Sequence, residues 1–121
     1  MGVFEVDDIN DLCKMQYLFS DVLVIFPGGT GTISELTAHL EQIWDYENVA
    51  RPKIILYNKR ISADRCFFDG ILEQFRLSAK CGFNKEDVVL RSIDFIVDNL
   101  DELLNVLDES IKRVISQGVG R

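Results

Sequence analysis

Asp21-Val-Leu-Val-Ile-Phe-Pro-Gly-Gly-Thr-Gly-Thr-Ile-Ser-Glu35 decides how this chain folds. Residues 21–26 form a β-branched and apolar run without polar alternation. Such a run reads as a strand covered on both faces, the kind that parallel sheets use. Pro27-Gly28-Gly29-Thr30-Gly31 then breaks the strand sharply. Beyond it Ile33, Leu36, Leu40, Ile43 and Trp44 recur at helical spacing. A buried strand that turns through glycines straight into a helix is the opening half of a βαβ unit.

The rest of the chain repeats that unit. Downstream, Pro52 closes the loop after the helix, and residues 53–57 (KIILY) are a second strand of the buried kind. Phe67, Phe68, Ile71, Leu72 and Phe75 mark another amphipathic helix, ended near Gly82. A short strand is expected within residues 93–97. Asn99 then caps a helix, with Glu102 three residues on completing a capping box. Leu100, Leu103, Leu104, Leu107, Ile111 and Val114 form its stripe, and the tail from Gln117 to Arg121 should fray. Upstream, residues 3–6 suggest a terminal strand. Asp7 or Asp8 can cap a helix reaching about residue 19, with Ile9, Leu12 and Cys13 on one face. The alternation predicts an α/β fold over residues 1–121, a single Rossmann-like domain or partial domain. Its sheet is parallel, with helices on both faces. In such sheets ligands bind beyond the carboxyl ends of the strands. The glycine turn lies at one such end.

Composition narrows the function classes. The chain has 121 residues, 47% hydrophobic and 27% charged, which is the make-up of an ordered globule. Thirteen basic against 20 acidic residues give a net charge of −7, which argues against a nucleic-acid partner. It leaves room for a local anion site, because backbone N–H groups need no net positive charge. No apolar run approaches the ~20 residues of a membrane span. The acidic start MGVFEVDD lacks the features of a signal peptide, and Val6 stands where a myristoylation motif needs Ser or Thr. Cys13, Cys66 and Cys81 show no CxxC spacing and are expected to be free, buried thiols of a cytoplasmic protein. With a single His there is no zinc signature.

Chemistry concentrates in residues 27–35. Closely spaced glycines let the backbone turn and approach a ligand without Cβ clashes. The helix that follows offers unpaired N–H groups and the positive end of its dipole. Together these make a phosphate cradle, to which Thr30 and Thr32 can add hydroxyls. No Lys follows the glycines, so this is not a Walker loop. The third glycine of a dinucleotide fingerprint falls on Ser34. Glu35 has two readings. Thr32-x-x-Glu35 is itself a capping box, in which Glu35 would satisfy the Thr32 amide. Alternatively, a carboxylate beside a bound phosphate is there for chemistry. His39 lies four residues on, on the same helical face: a Glu–His dyad, or a surface histidine.

Residues 27–35 match the hallmark PGGxGTxxE of the Lonely-Guy (LOG) family at every fixed position, and the chain resembles that family. These are nucleoside 5′-monophosphate phosphoribohydrolases, also described as possible lysine decarboxylases. Ser20-Asp21, Arg51-Pro52-Lys53, Cys81-Gly82-Phe83 and Val97-Asp98-Asn99 before Glu102-Leu103-Leu104 also fit, so the resemblance spans almost the whole chain. It implies hydrolysis of the N-glycosidic bond of AMP or a cytokinin riboside monophosphate, giving free base and ribose 5-phosphate. Glu35 would be the catalytic carboxylate, and Gly28, Gly29, Thr30, Gly31 and Thr32 would hold the phosphate. No metal and no pyridoxal cofactor is needed, and no lysine is placed to form a Schiff base.

Two departures qualify the match. Where the family carries an Arg-Lys pair on the preceding helix, this chain has Leu12 and Cys13. The family's domain also begins with further strands and a glycine-rich turn, and this chain resembles the part that follows them. Three readings therefore compete: a hydrolase, a nucleotide-binding module without turnover, and a structural fragment. A sheet lacking those strands should expose an edge, so a homo-oligomer (the family's homodimer habit points the same way) or a partner chain completing the sheet is expected.

Overall fold

The computed structural model describes residues 21–45, 52–83 and 92–118, with side chains through residue 38 in the first segment. The expected strand at 3–6 and helix to residue 19 lie outside the described residues. Within them the element order is β1 (Val22–Ile25), α1 (Thr30–Asp45), β2 (Lys53–Tyr57), α2 (Asp69–Lys80), β3 (Phe95–Val97) and α3 (Leu100–Gly118). The sheet has order β1-β2-β3, and both pairings are parallel. Val22 sits opposite Lys53, and Ile55 opposite Phe95. The α/β reading holds, with a three-stranded sheet over the described residues.

Strand periodicity divides the core in two. Both crossovers step in the same direction, so right-handed connection places α1 and α2 on one face. Ile25, Ile54 and Leu56 point there and pack with Leu36 of α1 and with Phe68 and Leu72 at α2. The alternate residues Val22, Val24, Ile55, Tyr57, Phe95 and Val97 point the other way. They meet Leu103, Val106 and Leu107 of α3. Helices therefore cover both faces. Ile54, Ile55 and Leu56 are fully buried, each contributing roughly 1.5–3 kcal/mol relative to exposure.

The first strand departs from its expected burial. Val22, Leu23 and Val24 are only half-buried; for Val22 and Val24 the reason is that α3 lies over β2 and β3 rather than over β1. Polar groups finish the ladder at its amino end. The Asp94 amide donates to the Ile54 carbonyl at 2.9 Å, and the Ile54 amide donates to the Asp94 carboxylate at 2.8 Å. A side-chain oxygen thus takes over where β3 runs out of backbone acceptors. Gly82 ends α2 with φ +83°, the left-handed conformation in which glycine is least costly. Cys66 is half-buried and Cys81 exposed, both as free thiols. The expected burial fails at Cys81 because it caps the C-terminal end of α2.

Candidate functional site

The junction between β1 and α1 carries the candidate site. Phe26 leaves the carboxyl end of β1 and packs edge-on against Tyr57, with ring centroids 5.9 Å apart. Helix α1 begins at Thr30, so Gly29 is its N-cap. The Gly29 carbonyl accepts hydrogen bonds from the amides of Thr32 (3.1 Å) and Ile33 (3.3 Å). The amides of Gly29, Thr30 and Gly31 have no acceptor among the described residues. These three residues are exposed, so their N–H groups stand at the positive end of the helix dipole, open to solvent. The amide of Gly28, also exposed, has no acceptor there either, so four of the five residues predicted to hold a phosphate present amides without an acceptor among the described residues. Thr32 has spent its amide inside the helix and retains its hydroxyl.

The glycines serve space rather than torsion. None of the three has a positive φ, so none is needed here for a left-handed backbone. A Cβ on Gly28 would lie 2.1 Å from Thr32 Oγ1, so the threonine side chain fills the place that a side chain at 28 would need. A Cβ on Gly29 or Gly31 would meet nothing within 4 Å. Neither packing nor backbone geometry among the described residues requires glycine at these two positions. Glycine suits the N-cap at 29, and the open space at both positions leaves the backbone approachable.

Helix geometry bears on the capping-box reading of Glu35. Thr32 is the third helical residue, not the N-cap, and its amide is already bonded to Gly29. The Thr32-x-x-Glu35 capping box does not form. Glu35 is half-buried and has no hydrogen-bond or ion-pair partner among the described residues. It lies one turn beyond Gly31 and Thr32, on their face of the helix. Helical side chains lean toward the N-terminus, the end at which the open amides lie. The side chain of His39 lies outside those described, as do Leu12 and Cys13.

Two polar clusters beside the site escaped the sequence reading. Arg60 holds Asp98 Oδ2 through Nη2 (2.6 Å) and Nε (3.1 Å), and donates from Nη1 to the Ala63 carbonyl at 3.1 Å. This ties the loop after β2 to the carboxyl end of β3. The charge-assisted bonds hold the Asp98 carboxyl below its ordinary range and raise Arg60. In the same loop, buried Asn58 donates to Asp69 Oδ1 at 3.0 Å and accepts from the Phe68 amide. The Cys66 amide donates to Asp69 Oδ2 at 2.7 Å, and these bonds lower the Asp69 carboxyl. A cleft of about 570 Å³ opens beside this network, bordered by Asp64, Arg65, Glu73 and Arg76 among others. Its charges have both signs. Arg60 and Asp98 are far apart in sequence, so no local spacing announces their pairing.

Among the described residues no group of three or more His, Cys, Asp and Glu could hold a metal ion. None of their helices is long and apolar enough to cross a membrane. Neither a curated protein nor a solved structure matches the chain. A family model described as "Possible lysine decarboxylase" matches residues 3–107, a span that takes in the whole hallmark. With most of its length matched, the chain belongs to that family, the Lonely-Guy family of possible lysine decarboxylases.

Proposed function

We propose that this chain hydrolyses the N-glycosidic bond of a nucleoside 5′-monophosphate, AMP or a cytokinin riboside monophosphate, to free base and ribose 5-phosphate. The observation that carries the reading is the pairing of open amides at Gly29, Thr30 and Gly31 with Glu35, one helical turn on, which has no partner among the described residues. The amides and the helix dipole take the phosphate. Its binding energy fixes the ribose against the carboxylate. As the bond from C1′ to the base nitrogen stretches, positive charge builds on the ribose. Glu35 stabilises that charge and accepts a proton from the attacking water. The water oxygen bonds to C1′, and the base departs with the bonding electron pair and takes up a proton.

Incubation with AMP and with isopentenyladenosine 5′-monophosphate, followed by chromatography of the free base, tests this. Release that falls at least ~100-fold in Glu35→Gln, with nucleotide binding kept, supports the enzyme. A second reading rests on Leu12 and Cys13, which occupy the place of the family's Arg-Lys pair. It is a nucleotide-binding module without turnover. Binding without any release by the unmodified chain decides for it, and absence of binding sinks both.

A further inference from the structure

Phe26 follows β1 at the carboxyl edge of the sheet, immediately before Pro27 and the glycine junction. Alternation along the strand sets it on the side of Val22 and Val24, which belong to the cluster under α3. Ile25 pairs with Leu56, so the next rung brings Phe26 beside Tyr57. The two rings meet edge-on, with centroids 5.9 Å apart and planes at 66°. Tyr57 is itself packed into the α3 cluster. The Phe26 ring is thus held from one side by an anchored neighbour, yet it is 52% exposed. Single apolar residues on a surface are ordinary. This one differs in its place. Ligands of parallel sheets bind beyond this edge of the strands, and the open amides of Gly29, Thr30 and Gly31 follow within a few residues.

Chain geometry bounds the separation. Three peptide units join Phe26 to Gly29, so their Cα atoms are no more than about 11 Å apart. That is within the reach of a nucleotide from its phosphate to its base. An anion held on the amides leaves its ribose and base to extend over the neighbouring surface. A ring packed on one side and open on another is what a flat heterocycle stacks on, and stacking needs no hydrogen bond to the base. We propose that Phe26 is the stacking platform for the base of the nucleoside 5′-monophosphate, with Tyr57 as the positioning residue that steadies its ring. This rests on the phosphate site of the proposed function, and adds the group that tells a nucleotide from a bare sugar phosphate. Phe26 contacts the base, not the bond that breaks.

Isothermal titration calorimetry of the full chain with AMP and with ribose 5-phosphate, the same anion without a base, is the test. Every protein titrated carries Glu35→Gln, which prevents turnover of AMP. The parent is expected to bind AMP more tightly than ribose 5-phosphate. Phe26→Ala should weaken AMP about tenfold or more and leave ribose 5-phosphate unchanged. Phe26→Leu keeps apolar bulk against Tyr57. It should match the parent in circular dichroism and melting temperature, and still weaken AMP about fivefold or more. Phe26→Tyr keeps the ring and should keep the affinity. In nuclear magnetic resonance the adenine ring protons should shift upfield on binding to the parent and to Phe26→Tyr, but not to Phe26→Leu. AMP affinity indifferent to Phe26→Leu overturns the proposal while the phosphate site stands. So does an equal loss of AMP and ribose 5-phosphate in that variant, since the ring would then only shape the junction. A parent that binds neither ligand removes the phosphate reading and this proposal together.

Discussion

Three glycines within four residues do different work, and their substitutions should separate. Gly28→Ala drives a Cβ into the Thr32 hydroxyl, so either Thr32 leaves its rotamer or the loop shifts, at a cost of about 1–3 kcal/mol. Gly31 lies inside the first turn of α1 with open space around it. Gly31→Ala should therefore leave stability unchanged or raise it by up to ~1 kcal/mol, while weakening nucleotide binding. Thermal melting and nucleotide titration of the two variants check this. Equal destabilisation by both would mean that the space beside Gly31 is not kept for a ligand. Glu35 shows where residue-level reading misleads. Thr-x-x-Glu is a sound signature of a helix start, yet the helix starts three residues earlier, because Gly29 can serve as N-cap and its carbonyl reaches the Thr32 amide. The strand-to-helix junction that carries the candidate site was legible in the sequence. The engagement of the Thr32 amide was not, because it depends on where the first helical turn closes.

Helix α3 is the best-signalled element. Asn99 accepts the Glu102 amide on Oδ1 at 2.9 Å, as its capping box foretold. The reciprocal arm differs: the Glu102 carboxylate meets the Asn99 side-chain amide at 3.4 Å. Asn99→Ala should cost about 1 kcal/mol and Asn99→Gly only a few tenths, measured by urea unfolding. An equal loss in both would show that the cap bond contributes nothing. Residues 53–57 were legible to the residue because a β-branched run between Pro52 and a polar loop allows little else. The first strand was legible as a strand but misjudged in burial, since its pattern cannot reveal that α3 lies over the two neighbouring strands. Likewise the six-residue stripe of α3 announces an apolar face, but not that Leu103 is buried while Leu100, Leu104 and Ile111 are exposed.

Across the whole molecule, acid should act through the loops that tie the carboxyl ends of the sheet. Asp98 and Asp69 both have folded pKa values below the ordinary carboxylate range, the first through Arg60, the second through the Cys66 amide and Asn58. An unfolded chain binds those protons more readily. The stability they contribute is therefore complete above the ordinary carboxylate pKa of about 3.9, and is lost as pH falls below it through the folded values. Urea midpoints measured from about pH 7 to about pH 2 should fall on the acid limb. Asp98→Asn should lower the neutral plateau and flatten that limb, so that the two curves converge in acid. Parallel curves would mean that the bond to Arg60 does not couple to folding. The tie of Arg60 to Asp98 was illegible in the sequence because it joins residues distant along the chain and depends on the register of β2 with β3.

Strand order in space repeats strand order along the chain. Among the described strands each therefore adds to the one made just before it, and none of the three must wait for a later one to be inserted between its neighbours. A polypeptide emerging from a ribosome can lay down this sheet in the order of synthesis. β2 is templated by β1, then β3 by β2, and α3 closes over the last two. Moving the start of translation to the loop before β2 would reverse that economy, leaving the glycine junction to be threaded in last.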